Sequence, residues 1–183
     1  FFAARALVEL GEPGKSSAGF KTAQLIGVAR TTMVGRPPIV TRGNLEDLRI
    51  PDAVLVDESS RARLGNIDVG DTIKLNDQRA VVVGFCKIKL GFESNAVIYT
   101  TYDNALRFVP PARKQMTFVL VKVRDGVDPL AVQQRIARLP NLAAFTQGQM
   151  RQRTVGFILR ETGIGINFGI TVLLGFIVGL VVS

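Results

Sequence analysis

The side chains best suited to chemistry cluster in the segment Asp57–Ser60, which reads Asp-Glu-Ser-Ser. Adjacent carboxylates and hydroxyls of this kind could form a catalytic dyad or bind a cation, although no third ligand is in view. The same residues are typical of a helix start, because Asp57 can cap the first turn and Glu58 suits the positive end of the helix dipole. Two arginines and then Gly65 suit the end of that helix. We therefore interpret the segment as a capped helix over 57–65 rather than as a site.

Composition argues against most cysteine and histidine chemistry. The chain has no His and a single cysteine, Cys86, which removes His-based triads, internal disulfides and Cys or His metal clusters. Cys86 closes an apolar strand pattern without a second thiol, so we interpret it as a buried small hydrophobic residue. Carboxylate, lysine or serine chemistry stays open. A membrane-anchored enzyme using Asp57, Glu58, Ser59 or Lys15 is the weakest of three functional hypotheses.

A partial phosphate-binding motif lies in Gly11–Ser17, where Gly14-Lys15-Ser16 matches the end of a P-loop. The full pattern requires a glycine at position 9, and this chain has Glu9, whose charge would repel phosphate. No helix pattern follows Lys15, so the helix N-terminus that would hold phosphate is also missing. We interpret the segment as a polar hairpin loop.

The first 161 residues predict a domain of strands interrupted by a few short helices. Asn76-Asp77 predicts a tight hairpin between two of the strands. A second helix is predicted after its N-cap, Asp128, with Pro129 at the first helical position and Pro140 ending it. This mixture indicates an α+β fold. Seven segments have the length and β-branched content of strands: Ala4–Leu10, Thr22–Ala29, Ala53–Val56, Thr72–Leu75, Ala80–Phe85, Ala96–Thr100 and Thr117–Val123.

Charge divides the chain into two parts. All 38 charged residues, 23 basic and 15 acidic, lie in the first 161, and the last 22 residues, 162–183, carry none. Those 22 residues make a helix of roughly 33 Å at about 1.5 Å per residue, enough to cross a membrane. The net charge of +8 is scattered over turns and strand ends without interleaved aromatics, which indicates a solvated surface and no nucleic-acid binding.

The uncharged segment carries a glycine pattern. Gly165 and Gly169 form one small-xxx-small pair, and Gly175 and Gly179 form another. Such pairs let helices approach closely in a bilayer, so they predict packing against other membrane helices. The alternative is that the glycines are merely tolerated in a simple anchor, since glycine is common in transmembrane helices.

The junction between the two parts predicts a stalk. Thr146 and Gln149 have the spacing of a capping box, and an amphipathic pattern with several arginines that could meet lipid headgroups leads to residue 161. We expect one continuous helix rising from a core domain (1–145) through a stalk (146–161) into a transmembrane helix (162–183). The chain starts at Phe1 and stops inside an apolar run, so we expect a fragment whose core is truncated at its N-terminus and whose membrane helix is cut at its C-terminus.

Four blocks of sequence together resemble one family of membrane proteins. In order and spacing they resemble the extracytoplasmic domain of FtsX-like and MacB-like ABC transporter permeases, closest to the DevC-like branch. The blocks are PDAVLVDESSRARLG (Pro51 to Gly65), VGDTIKLNDQRAVVVGF (Val69 to Phe85), LVKVRDGVDPLAVQQRIARLP (Leu120 to Pro140) and TVGFILRETGIGINFGITVLLGFIVGLV (Thr154 to Val181).

The resemblance implies an exporter subunit with four transmembrane helices and a large domain between the first and second. It implies the MacB-like periplasmic core fold, with residues 1–161 on the periplasmic side of a bacterial inner membrane. The implied partners are an ATP-binding subunit, a membrane-fusion adaptor protein and a second copy of the permease, which moves substrate by mechanical coupling. It implies no catalytic, cofactor-binding or metal-binding residues in this chain. The alternative is a single-span anchored domain that binds a partner without transport.

Overall fold

The computed structural model describes residues 1–10, 19–88, 95–113, 116–161 and 163–182. They form two compact units, 1–122 and 123–183, which are described separately. The segment Gly11–Ser17, interpreted from sequence as a polar hairpin loop, lies outside the described residues.

Seven strands build the first unit. Six of the seven segments predicted from sequence are confirmed, and Thr72–Leu75 has the predicted bounds. Strand β3 was not predicted. The strands are β1 (Phe2–Leu10), β2 (Gly19–Val28), β3 (Ile39–Gly43), β4 (Ala53–Asp57), β5 (Thr72–Leu75), β6 (Gln78–Lys87) and β7 (Ala96–Thr101).

Six of these strands close into a ring. The sheet runs in the order β3-β6-β4-β7-β2-β1-β5, and β5 also pairs with β6. β3 therefore lies beside the ring, on the part of β6 that β5 leaves free. The β2–β7 and β4–β6 pairs are parallel, and the others are antiparallel. This mixed sheet with short helices confirms the predicted α+β class.

The ring is closed by a short seam between β1 and β5. Only two residue pairs join these strands, Val8 with Leu75 and Glu9 with Lys74. Asn76, in the turn after β5, extends the seam: its backbone N–H donates to the Leu7 carbonyl at 2.8 Å, and its side-chain oxygen accepts from the Leu7 N–H at 2.9 Å. Asn76 adopts φ 47°, a left-handed conformation that asparagine tolerates in turns. The predicted hairpin is thus confirmed, and its first turn residue also holds the ring together.

Successive side chains along a strand point to opposite faces of the sheet, and both faces are buried. On β4, Val54 and Val56 belong to one hydrophobic cluster, which has members on all six strands of the ring, and Leu55 belongs to a second. β4 and β7 are buried at every position, as expected for strands covered on both sides. Phe2 and Phe85 are among the largest fully buried side chains, and the burial of each contributes about 2–3 kcal/mol.

A bulge in β6 changes which face its side chains join. The pairing with β4 shifts between Val54, opposite Val82, and Leu55, opposite Gly84, so Val83 is the extra residue. Gly84 also pairs with Gly43 of β3. A Cβ at Gly84 would lie 2.2 Å from the Arg42 carbonyl oxygen, and Gly43 has φ +78°. The two strands can approach this closely only because both positions are glycine.

Four α-helices are described: α1 (Tyr102–Arg107), α2 (Pro129–Ala137), α3 (Gln147–Glu161) and α4 (Ile164–Val182). α1 was not predicted. α2 begins as predicted, with the Asp128 carboxylate accepting hydrogen bonds from the N–H groups of Leu130 and Ala131 and with a proline in its first turn.

The helix predicted over 57–65 is wrong. Two separate 3₁₀ turns stand there, Glu58–Ser60 and Ala62–Leu64. The Asp57 side chain caps neither of them, because it accepts hydrogen bonds from other donors. Gly65 does end the second turn in the left-handed conformation, with φ 88°, as predicted for a C-cap.

The strand predicted over Thr117–Val123 is also wrong. Residues 116–124 form no regular element. Thr117 and Phe118 do run beside the start of β1: the Ala3 N–H donates to the Thr117 hydroxyl at 3.1 Å, and the Phe118 N–H donates to the Phe1 carbonyl at 3.4 Å. One of these contacts uses a side chain in place of a backbone carbonyl, so no ladder develops.

Candidate functional site

Asp57 is the most buried of the acids that the sequence singles out. It closes β4 and is 2% exposed. One carboxylate oxygen accepts from the Ile88 N–H at 3.2 Å, and the other accepts from the hydroxyls of Ser59 and Ser60. Both oxygens are thus occupied by groups of the chain itself. The carboxylate fastens the end of β4 to the residue after β6, which is a structural role.

A network of two arginines and one acid lies over Phe85. Arg42 Nη1 lies 2.8 Å from one oxygen of Asp68, and Arg61 Nη2 lies 2.9 Å from the other. The guanidinium carbons are 4.5 Å and 5.7 Å from the centre of the Phe85 ring, within cation–π range. The hydrogen bond from the Val69 N–H and the two arginine charges hold the pKa of Asp68 below its ordinary value. The network connects β3, the junction between the two 3₁₀ turns and β6.

A shallow pocket of about 590 Å³ opens beside this network. Its lining mixes both signs of charge, and its acids already have partners: Glu58 accepts from the Thr41 hydroxyl at 2.8 Å and lies 3.8 Å from Arg42 Nη2. No group of three or more Cys, Asp or Glu side chains within the described ranges could hold a metal ion. The arrangement stabilises the strand ends. Residues lining it include Thr41, Arg42, Asp57, Glu58, Ser59 and Lys87.

Cys86 is fully buried, which confirms its interpretation as a small hydrophobic residue. Burial raises the pKa of its thiol to about 12, and the nearby negative charges of Asp57 and Glu58 act in the same direction. Since the thiolate is the reactive form, this cysteine is held in an inert state.

The stalk begins as its sequence predicts. The Gln149 N–H donates to the Thr146 hydroxyl at 3.3 Å, and the Thr146 N–H donates to the Gln149 side-chain oxygen at 2.9 Å. These reciprocal bonds are a capping box, and they satisfy two of the N–H groups that a helix start leaves unpaired. α3 then runs for 15 residues to Glu161.

The continuous helix expected from stalk to membrane is not observed. α3 ends at Glu161 and α4 starts at Ile164. Gly163 adopts φ +67° at this break, a conformation that costs a glycine little and ends a right-handed helix. Among the described residues, no single helix has both the length and the hydropathy of a membrane span. α3 and residues Gly165–Leu180 meet that test only as a pair bent by 60°.

The four glycines proposed to pack membrane helices all lie on α4. A Cβ at Gly165 would lie 2.9 Å from the Leu159 carbonyl oxygen, whereas at Gly169, Gly175 and Gly179 nothing described lies within 4 Å. The large apolar side chains described on α4 are 47–72% exposed. The helix-packing role of the glycines stays a prediction.

Sequence reasoning did not find the Asp68 network. Its members come from three separate segments, and each is an ordinary surface residue by type. An arginine in a short strand opposite a buried aromatic is the only signal that could have indicated it. The contact of Phe145 with Arg153, 4.3 Å from ring centre to guanidinium carbon, was also missed.

A known protein family matches most of this chain. Residues 3–139 match the model of the MacB-like periplasmic core domain, which confirms the MacB-like resemblance. The DevC-like branch stays a prediction. No curated protein matches the chain.

Solved structures also match, at low identity. The extracellular domain of the noncanonic ABC-type transporter YknZ from Gram-positive bacteria is 12% identical, with a TM-score of 0.42, over 58% of this chain and 54% of that one. The periplasmic region of MacB from Actinobacillus actinomycetemcomitans is 16% identical, with a TM-score of 0.48, over 73% of this chain and 60% of that one. The chain therefore spans less than two thirds of these solved chains.

Proposed function

This chain belongs to the family of MacB-like periplasmic core domains, and we propose that it works as the extracytoplasmic part of an ABC exporter permease. In this role it passes ATP-driven movement between the membrane and a periplasmic adaptor. It acts as a homodimer in a bacterial inner membrane. ATP hydrolysis belongs to a separate domain or subunit, and this chain has no catalytic residues of its own.

The observation that carries the proposal is the exposed apolar surface of α4. This helix has 19 residues without charge, and its described large side chains are 47–72% exposed. Apolar surface of this extent in a soluble protein is normally covered. A membrane environment, with other helices packed at the glycines, covers it.

The rest of the chain supports a mechanical role. The ring of strands is held by packing on both faces and by the seam at Asn76, so it can move as one body. The stalk helix α3 is capped at its start by Thr146 and is fixed by hydrogen bonds within itself. A capped helix of 15 residues, about 22 Å long, can transmit a push or a tilt, whereas an uncapped loop would absorb it.

The experiment breaks the stalk and leaves the core intact. Val155 is 47% exposed in the middle of α3, so Val155→Pro removes little packing but disrupts the helix at a cost of about 3 kcal/mol or more. The control is Gln147→Pro at the first helical position, where proline is tolerated. Spin labels at Arg79→Cys, on the exposed end of β6, report the distance between two protomers of the full-length permease reconstituted with its ATPase.

We expect an ATP-dependent change of that distance in the parent protein and in Gln147→Pro, and its loss in Val155→Pro at an unchanged melting temperature of the core. Val155→Pro moving like the parent would rule out transmission through the stalk. A parent protein that never moves with ATP would favour the alternative, a single-span anchored domain that binds a partner without transport.

A further inference from the structure

The second unit contains a groove along one face of the stalk helix. The groove has a volume of about 680 Å³ and is bounded by α3, by Gln133 of α2 and by Phe145 in the connection between them. Within α3 its lining includes Gln149, Arg153, Gly156 and Arg160. These positions are three or four residues apart, so they lie on one face of the helix. The glycine leaves the middle of that face open, since no part of the described chain lies within 4 Å of the place where a Cβ would stand.

The groove presents basic and aromatic groups together. The Arg153 guanidinium lies over the Phe145 ring, with 4.3 Å between the guanidinium carbon and the ring centre. Arg160 lies two turns further along the same face. Neither arginine takes part in an ion pair with the residues that the structure describes. Glu161 is the acid in the lining, so the groove keeps a net positive charge.

The groove also borders apolar surface. Phe157 lines it and is 62% exposed. The uncharged helix α4 begins three residues after α3 ends. A ligand that fits has a negatively charged end, which pairs with the guanidinium groups. Its other end is a long apolar part, which extends toward α4. Soluble anions lack the second feature.

We propose that this groove binds the phosphodiester headgroup of an anionic phospholipid, with Arg153 and Arg160 as the phosphate ligands. The proposal rests on the proposed function, because it requires α4 to lie in a membrane. Arginine recognises phosphate oxygens through paired N–H donors, and the stack on Phe145 holds one guanidinium in place. The acyl chains of the lipid then lie along α4.

The test compares lipids that differ in headgroup charge. The full chain is reconstituted in phosphatidylcholine bilayers with a trace of spin-labelled phosphatidylglycerol or spin-labelled phosphatidylcholine, and the immobilised fraction gives the ratio of the two association constants. Each arginine near an anionic lipid strengthens binding about fivefold, so two predict a preference of about thirtyfold for phosphatidylglycerol. Arg153→Gln combined with Arg160→Gln should bring the ratio close to one.

Arg151→Gln is the matched control, because Arg151 lies on the same helix outside the groove lining and carries the same charge. We expect it to keep most of the preference. An equal loss in the control would mean that only the total charge of α3 matters, and it would overturn the site.

Two further outcomes separate the possible failures. Immobilisation of both lipids with no preference overturns the groove proposal and leaves the proposed function standing. Immobilisation of neither shows that the chain does not enter the bilayer, which overturns both. Inorganic phosphate is added as a competitor, and we expect it not to displace the lipid. Displacement would show a general anion site and refute lipid recognition.

Discussion

The close approach of β3 to β6 gives the sharpest test of the fold. Gly84→Ala adds one methyl group at the bulge, where it would lie 2.2 Å from the Arg42 carbonyl oxygen and 2.8 Å from Leu55 Cδ2. A carbon and an oxygen in contact lie about 3.3 Å apart. The backbone of β3 must therefore retreat by roughly 1 Å, which strains the pair that Gly84 forms with Gly43.

The expected loss follows from these distances. Overpacking by a methyl group costs about 1–3 kcal/mol where side chains can adjust. Here the obstacle is backbone on one side and a buried leucine on the other, so the upper end applies, and we expect about 3 kcal/mol. For a chain of this size that loss lowers the melting temperature by about 6–12 °C.

The assay is thermal or urea unfolding of the full chain, followed by circular dichroism. Gly19→Ala is the matched control, because none of the residues that the structure describes lies within 4 Å of the added carbon at that strand position. We expect this control to change stability by less than about 1 kcal/mol. Equal stabilities of the two variants would refute the close approach, and with it the bulge that turns β6.

Two further predictions concern single side chains of the core domain. Burial raises the pKa of the Cys86 thiol from 9.0 to about 12, which lowers its thiolate fraction about a thousandfold. A maleimide should therefore label Cys86 at least about a thousandfold more slowly in the folded chain than in urea. Comparable rates would contradict its burial. Asp68 has a lowered pKa in the fold, so its ionised form adds stability above its ordinary value of 3.8, and this contribution is lost as the pH falls through the lower folded value. Asp68→Asn should therefore be less stable than the parent at pH 7 and match it in strong acid, and an offset that does not change with pH would contradict the network.

Strands with a dense β-branched pattern of their own were predictable, and strands that depend on a distant partner were not. β5 and β7 have dense β-branched runs between turn residues, and the structure starts both where the sequence predicts. β3 was missed because its five residues follow two prolines and have only partly covered side chains. Its pairing with β6 depends on a glycine contact that the local pattern does not show. Thr117–Val123 has a strand pattern without a strand, because propensity does not supply a partner ladder.

Around the candidate sites, too, local features were predictable from sequence and long-range ones were not. The capping box at Thr146 could be predicted because all its atoms lie within one turn of helix. The break at Gly163 could not, since a glycine in an apolar helix pattern is as compatible with continuation as with a left-handed stop. The residues that follow Asp57 in sequence predicted that it caps a helix. In the structure its carboxylate accepts from the N–H of Ile88, the residue after β6. A hydrogen bond between residues this far apart in the chain produces no recognisable motif in the sequence.

The seam at Asn76 has a consequence for the order in which the chain folds. Its bonds to Leu7 join residues 69 positions apart, and the β1–β5 pairs beside it are as distant in sequence. Loop entropy must be lost before such contacts form, so distant pairings form slowly. The β5–β6 hairpin can form within microseconds from neighbouring residues. The slow events are then the long-range closures of the ring: the capture of β1 by a turn that is already folded, and the pairing of β2 with β7, which joins Ala23 to Ala96. The ring becomes complete only when both have formed.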